Sequence, residues 1–114
     1  MHEASIAESL LDIVIENAKK QEAKEIVSVT IKVGKLSGVQ PDSLLFAFDA
    51  LKESTAAANC NLVIEEIPVI GICNICGHED KYDNFIFSCN SCGSFEVRMI
   101  SGEELNIKEI EVEI

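Results

Sequence analysis

Two pairs of cysteines in the second half of the chain constrain its fold most. Cys73 and Cys76 form the motif CNIC, and Cys89 and Cys92 form CNSC, with twelve residues between the pairs and a glycine after each pair. A CxxC turn places two sulfurs on one side of a tight loop, and two such turns brought together by a hairpin make a tetrahedral S₄ cage. Zinc accepts this donor set without a redox change. The spacing therefore predicts a structural zinc site in a small module that folds around its metal.

Alternatives remain open around these cysteines. Iron in a rubredoxin-like cage would fit the same four sulfurs, because tetrahedral S₄ geometry suits both metals. A thioredoxin-like redox pair fits less well, since that motif begins a helix of a βαβ unit and these motifs lie among turns. Cys60 stands alone upstream and is expected to be a small buried apolar residue. His78 is expected to be an exposed loop histidine, the alternative being a part in metal exchange.

The residue patterns do not favour an enzyme. A cage filled by four thiolates has no open coordination position, so it cannot be a hydrolytic centre. The sequence has no Ser-His-Asp pattern, and its glycines at 34 and 38 lack the lysine and hydroxyl of a phosphate-binding loop. We therefore expect a protein without catalytic activity of its own.

Charge and cysteine usage limit the environment and the partners. The formal net charge is -11, from 20 acidic and 9 basic residues, so the chain lacks the basic footprint that nucleic acids and anionic membranes require. The first twenty residues lack a basic n-region, and no apolar run approaches the ~20 residues that cross a bilayer. Four of the five cysteines lie in the two pairs, a pattern typical of a reducing compartment. We expect a cytoplasmic protein that binds neither nucleic acid nor membrane.

Hydrophobic periodicity predicts the order helix, strand, helix, strand, cysteine module, strand, strand. The predicted helices span 4–20 and 41–53, and the predicted strands span 61–70, 95–100 and 105–114 besides 25–34. The expected buried positions are, in chain order, Leu10, Ile13 and Val14; Val27, Val29, Ile31 and Val33; Leu44, Leu45, Phe48 and Leu51; and Ile110, Val112 and Ile114. The Glu65-Glu66 pair interrupts one strand and indicates a bulge or a sheet edge.

This order predicts an α+β fold in which a mixed sheet carries two helices on one face. Residues 1–70 and 101–114 would form this α/β domain. Residues 71–100 would form a zinc ribbon-like module inserted before the last strand.

The N-terminus offers a second set of metal donors. The α-amine of Met1, the backbone nitrogen of His2 and its Nδ1 can close fused five- and six-membered chelate rings, and Glu3 can add an amide nitrogen or a carboxylate. The bulky His2 is expected to leave Met1 in place. Such a nitrogen-rich, tetragonal set suits nickel(II) or copper(II) rather than zinc. By itself the motif is weak, since a histidine at position 2 is commonly just an exposed residue.

The arrangement as a whole resembles the HypA/HybF family of hydrogenase nickel-incorporation proteins. The resemblance rests on the MHE start, the helix after it and CxxC-x12-CxxC, and it extends through MHEASIAESLLDIV, VTIKVGKLSGVQPDSLLFAF and LVIEEIPVIGICNICG. It implies nickel(II) as cargo at His2, with Glu3 assisting, and structural zinc(II) at Cys73, Cys76, Cys89 and Cys92. It also implies a HypB-type GTPase and the large subunit of a nickel–iron hydrogenase as partners. Some members also serve urease, which adds urease accessory proteins.

One alternative of another class remains. A zinc-ribbon adaptor that binds other proteins and handles no nickel would share the cysteine motifs, and the negative charge does not argue against it. Metal content separates the two, because the adaptor would hold zinc alone.

Overall fold

A computed structural model describes residues 3–83 and 85–114 of the chain. Two helices and six strands lie within this part. In chain order they are α1 (Glu3–Lys20), β1 (Glu25–Gly34), α2 (Pro41–Lys52), β2 (Asn61–Ile67), β3 (Ile70–Cys73), β4 (Glu79–Lys81), β5 (Val97–Ser101) and β6 (Leu105–Glu113). The strands form two three-stranded sheets, one carrying the helices and one carrying the cysteines.

The first sheet is mixed, with strand order β2-β1-β6. β1 pairs in parallel with β2, so that Ile31 lies opposite Ile64, and it pairs antiparallel with β6. A parallel pair needs a crossover connection, which α2 provides. β2 is an edge strand, and its register with β1 is unbroken. Of the two explanations predicted for the Glu65-Glu66 pair, the sheet edge is therefore correct and the bulge is not.

Both helices pack on this sheet through one apolar core. α1 contributes residues at helical spacing, α2 contributes Leu44 and Phe48, and the central strand β1 contributes four apolar side chains. The buried members from α1 and β1 are Ala7, Leu10, Leu11, Val14, Ala18, Ile26, Val29, Ile31 and Val33. The predicted fold class, a mixed sheet with two helices on one face, is therefore confirmed.

Some predicted core positions are wrong. Ile13 is 50% exposed and Leu51 is 40% exposed, because the face of α1 that meets the sheet carries Leu11 and the last turn of α2 leaves Leu51 partly in solvent. Ile114 follows the end of β6 and is 68% exposed. Instead of lying in the core, Ile13 lines an apolar groove between α1 and β6, of about 430 Å³, together with Ile6 and Leu105.

Two register shifts between β1 and β6 explain the remaining differences. One falls between Ile26 and Ser28, so Ile26 is buried and Val27 is only half-buried, against the predicted alternation. The other makes Lys108 an extra residue on β6, so that Ile107 packs against the core although it is out of step with the predicted Ile110 and Val112. A bulge shifts the side-chain alternation by one residue, and sequence periodicity does not reveal it.

The second sheet has the order β4-β3-β5 and is antiparallel throughout. The predicted strand over 61–70 is wrong, because it is divided between the two sheets. Proline has no N–H to donate to a ladder, so β2 ends at Ile67, before Pro68, and β3 begins at Ile70. β4 was not predicted, since three polar residues show no apolar alternation.

The two sheets are joined by hydrogen bonds between the segments that connect them. Ser101 Oγ donates to the Pro68 carbonyl at 2.8 Å, and Gly102 accepts the backbone N–H of Leu36 at 2.7 Å. A Cβ on Gly34 would lie 2.1 Å from the Gly102 oxygen, so this close approach requires glycine. The second sheet runs from Ile70 to Ser101, one residue beyond the predicted 71–100 at each end.

Candidate metal centre

The structure brings all four predicted sulfurs together. Their Sγ atoms lie within 4.8 Å of one another. Contacts run between the two CxxC motifs: Cys73 Sγ lies 3.6 Å from Cys92 Sγ, and Cys76 Sγ lies 3.5 Å from Cys89 Sγ. In a tetrahedral zinc site with Zn–S bonds of ~2.3 Å, the sulfurs are separated by about 3.8 Å. The four thiols therefore fit a zinc-sized tetrahedral cage.

Each CxxC motif is fixed by bonds within a few residues of chain. In the first, the N–H of Cys73 donates to the His78 carbonyl and the N–H of Gly77 donates back to Cys73, both at 2.9 Å. The second repeats the pattern, with Cys89 bonded to Ser94 at 2.7 Å and to Gly93 at 2.9 Å. Both glycines have φ near 78°, a left-handed conformation that favours glycine. The same local structure thus appears twice.

The first cysteine of each pair is buried and accepts backbone hydrogen bonds at its sulfur. Ile75 donates to Cys73 Sγ at 3.4 Å, and Ser91 and Cys92 donate to Cys89 Sγ at 3.3 and 3.4 Å. The N–H of Cys92 is the main cause that lowers the pKa of Cys89 to about 6. Backbone N–H groups, that of Cys76 foremost, also lower the pKa of Cys73. The thiols of Cys73 and Cys89 therefore ionise to thiolates more readily than an ordinary cysteine does.

The second cysteine of each pair is exposed and holds its proton more tightly. The backbone N–H of His78 favours the Cys76 thiolate, but the neighbouring thiols and desolvation outweigh it and raise the pKa of Cys76. The N–H of Ser94 acts in the same way on Cys92, whose pKa desolvation and the neighbouring thiols nevertheless raise to about 12. Four thiolates this close repel one another, so full ionisation requires a cation among them.

A carboxylate outside the cage ties its two halves together. Asp80 on β4 accepts hydrogen bonds from the side-chain amide of Asn90, in the second motif, and from the backbone N–H of Lys81. The Asn90 bond is the main cause that lowers the pKa of Asp80. The imidazole Nε2 of His78 lies 3.5 Å from the same carboxylate and is not part of the sulfur cluster. Neither Asp80 nor Asn90 was predicted, since their pairing depends on the hairpin.

Two further residues singled out in the sequence, Cys60 and Glu3, are described and are not part of the sulfur cluster. Cys60 is fully buried in the apolar core, as predicted, and burial raises the pKa of its thiol. Met1 and His2 fall outside the described residues, so their role stays a prediction. Glu3 is the first residue of α1, and its carboxylate accepts the backbone N–H of Gln40 at 3.2 Å, just before α2. This bond ties the start of α1 to the start of α2.

The fold and this centre define a small α+β protein with a four-cysteine module, able to hold a metal ion, before its last strand. Among the described residues, no helix is long and apolar enough to span a bilayer.

Comparison with known proteins gives the family. A family model described as "Hydrogenase/urease nickel incorporation, metallochaperone, hypA" matches residues 1–112. The chain is 40% identical over 113 residues to the hydrogenase maturation factor HypA of Geobacter metallireducens, covering 99% of this chain and 100% of that one. It is 42% identical over 113 residues to the HypA of Nostoc punctiforme, covering 99% and 96%. The chain belongs to the HypA family of metallochaperones, and it is a maturation factor rather than an enzyme.

A solved structure agrees with this assignment. The chain is similar to the solution structure of the Ni metallochaperone HypA from Helicobacter pylori, with a TM-score of 0.67 and 28% sequence identity. The match covers 99% of this chain and 98% of the Helicobacter pylori chain. The family resemblance read from the sequence is therefore confirmed.

Proposed function

We propose that this protein carries nickel(II) bound at Met1, His2 and Glu3 and delivers it during maturation of a nickel–iron hydrogenase. The observation that carries the proposal is the match of the nickel-incorporation family model across residues 1–112. Delivery would take place in the cytoplasm, with a HypB-type GTPase and the hydrogenase large subunit as partners. Because the family description includes urease, urease accessory proteins are a second set of recipients.

Structural zinc at Cys73, Cys76, Cys89 and Cys92 is the second part of the proposal. Its support is the separation of the sulfurs and the backbone N–H bonds to Cys73 and Cys89. Zinc bound there would ionise the thiols and hold the hairpin closed, and a saturated S₄ set leaves no position for chemistry. The cage is thus suited to maintaining structure, and nickel needs a separate site.

The nickel site would use nitrogen donors. The Met1 amine, the His2 backbone nitrogen and His2 Nδ1 supply three of the four positions of a tetragonal set. For the fourth, the bond from Gln40 N–H to the Glu3 carboxylate favours the amide nitrogen of Glu3 over its side chain. The carboxylate would then fix the start of α1 against the start of α2, next to the metal.

Nickel titration of zinc-loaded protein tests the proposal. Protein whose first residue is verified as Met1 should bind one nickel ion in addition to its zinc, measured by calorimetry and elemental analysis. His2→Ala should abolish the added nickel, because the imidazole that closes the six-membered ring is gone, and should leave zinc in place. Cys60→Ala, a buried thiol outside both sites, is the matched control and should retain both metals.

Two further preparations isolate the amine. An N-terminal extension should weaken nickel binding even with His2 and Glu3 intact, since it converts a basic amine to an amide, whereas a C-terminal tag of equal size should not. Equal affinity for the extended protein would remove the amine from the ligand set. If zinc-loaded wild-type protein took up no nickel, the zinc-ribbon adaptor would be the better description.

A further inference from the structure

The last strand of the first sheet has an open edge. β6 lies at one end of the strand order β2-β1-β6, so within the described residues no strand pairs with its outer side along Leu105–Glu113. Alternate backbone N–H and C=O groups of an antiparallel edge strand point away from its neighbour, and such a row is a template for a further strand. What can be added there depends on the side chains beside the edge.

An apolar groove lies beside this edge, on the face of the sheet that carries the helices. We call it the α1/β6 groove, and its volume is about 430 Å³. Ile13 and Leu105, which line it, are 50% and 42% exposed, and the short side chains of Ser5 and Ser9 leave it open toward α1. Its other lining residues are Ile6, Leu10, Ile31, Asn106 and Ile107. Apolar side chains on one face of an added strand would enter this groove.

The opposite edge of the sheet is less suited to such an addition. The depression between α2 and β2 is lined by Asp42, Glu66 and the amide of Gln40 as well as by Leu45 and Ile64. A strand added to β2 would have to place its side chains against these polar groups, which would lose water without an apolar surface to pack on. The β6 edge is therefore the better docking surface of the two.

Carboxylates follow the α1 side of the groove. Ser5, Ser9, Asp12 and Glu16 are spaced four, three and four residues apart, so they form one stripe along the helix. Asp12 and Glu16 are exposed. The basic residues of α1 lie in its last turn, beyond the stretch that lines the groove, at Lys19 and Lys20. This side of the groove is therefore acidic.

β6 contributes a second row of carboxylates. Ile110 and Val112 pack against the core, so the alternate residues lie on the other face of the sheet. The lysine of this strand, Lys108, is bonded to Glu65 at 3.0 Å. The exposed acidic residues of the row are Glu109, Glu111 and Glu113. An occupant of this edge should therefore carry positive charge.

A second copy of the chain is a poor occupant. Pairing of β6 with β6 of another copy would place one acidic row beside another, and like charges on neighbouring strands are destabilising. The net charge of -11 adds repulsion between whole molecules. The acidic row thus opposes self-association at this edge and favours a basic strand from a different protein.

We propose that the outer edge of β6 and the α1/β6 groove are a docking site for an extended, basic segment of a partner protein. The segment adds to β6 as a fourth strand, through backbone hydrogen bonds. Its apolar side chains enter the groove at alternate positions, and Lys or Arg side chains at the positions between lie beside the acidic row. None of the groove-lining residues is a proposed metal ligand, so the inference does not rest on the nickel or zinc site.

A labelled peptide of about eight residues, the usual length of a strand, tests the site when it alternates valine and lysine. Fluorescence anisotropy should show binding to the full-length protein, and the same peptide with glutamate in place of lysine should not bind. Ile13→Asn should weaken binding about tenfold, because it removes apolar contact surface from the groove. Phe46→Asn changes an exposed residue of α2 that does not line the groove, and should leave binding unchanged.

Methylation of the peptide backbone separates strand addition from simple charge attraction. In a strand, the N–H groups of alternate residues point to the same side, so N-methylation of all valines and N-methylation of all lysines block opposite edges of the peptide. One of these two peptides should bind about tenfold more weakly than the unmodified one, since several hydrogen bonds are lost, while the other keeps its affinity. This comparison uses wild-type protein, so it holds whatever Ile13→Asn does to the fold.

Four results would overturn the inference. The first is failure of the wild-type protein to bind the valine–lysine peptide, and the second is equal affinity for the two methylated peptides, which marks charge attraction alone. The third is equal binding by Ile13→Asn and Phe46→Asn. The fourth is a dimer of the wild-type chain, seen by sedimentation, that Ile13→Asn dissociates, because a second copy would then occupy the edge.

Discussion

The α/β domain and the cysteine module differ in how much apolar side chain they bury. The apolar cluster of the α/β domain includes fully buried Phe48 and Leu44, and its members all come from outside residues 69–104. The module buries few side chains, among them Cys73 and Cys89, and leaves large apolar residues such as Phe95 exposed. A segment this short cannot bury enough surface to offset its conformational entropy, whereas metal–thiolate bonds at the proposed zinc site would. The two regions should therefore respond to different perturbations.

Loss of a cage ligand should have the largest effect, and it should be confined to the module. Cys73→Ala or Cys89→Ala leaves three thiolates and an open position, so we expect zinc to be lost and the β3–β5 sheet to unfold. Elemental analysis measures the zinc. Hydrogen exchange should show fast amides at Tyr82 and protected amides in β1. Protection of Tyr82 at the wild-type level with zinc retained would contradict the four-ligand assignment.

Truncation of a core side chain should produce the reverse pattern. Phe48→Ala should lower the free energy of unfolding by about 3–5 kcal/mol, because it removes a fully buried ring from the α/β core. Urea unfolding measures the loss, while zinc content should stay at the wild-type level. Phe46→Ala is the matched control on the same helix, since Phe46 is 78% exposed, and should change stability little. Loss of zinc in Phe48→Ala would show that the two regions fold as one unit.

Acidification should affect the module first. At pH 7 the raised pKa values of Cys76 and Cys92 keep both thiols protonated without metal, so zinc binding should release at least two protons. As pH falls through about 6, Cys89 also takes up a proton, and zinc affinity should fall more steeply. Calorimetry in buffers of different ionisation enthalpy counts the protons. Zinc affinity independent of pH between 5 and 7 would be inconsistent with thiol ligands.

The smallest effect is expected at the surface of the first sheet. Lys108 Nζ bonds Glu65 Oε2 at 3.0 Å, but both side chains are nearly half exposed, and solvent screens such pairs. Lys108→Ala should therefore cause only a small shift in the urea midpoint. This shift should be smaller than the difference between the midpoints of Phe46→Ala and Phe48→Ala. A loss comparable to that of Phe48→Ala would mean that the stability of the first sheet depends on this ion pair, which spans β1 from β6 to β2, as much as on the core.

The sequence by itself determined the parts of the protein whose structure is local. Each CxxC turn is closed by hydrogen bonds between residues no more than five positions apart, so each motif alone places its two cysteines in one turn. The two helices and the central strand also lie close to their predicted bounds, since amphipathic periodicity is a property of a short window. The N-terminal motif is equally local, and its nickel role remains a prediction from residues 1–3.

Only the tertiary structure decided what depends on distant residues meeting. The division of one predicted strand at Pro68, the burial of Ile26 in place of Val27 and the exposure of Ile13 all follow from how sheet and helix pack. The position of Tyr82 against Gly71 follows from a hairpin that pairs β4 with β3. Residues far apart in the chain create these environments. The free energy of burying a side chain depends on both elements that pack against each other, whereas the free energy of a turn depends only on neighbouring residues.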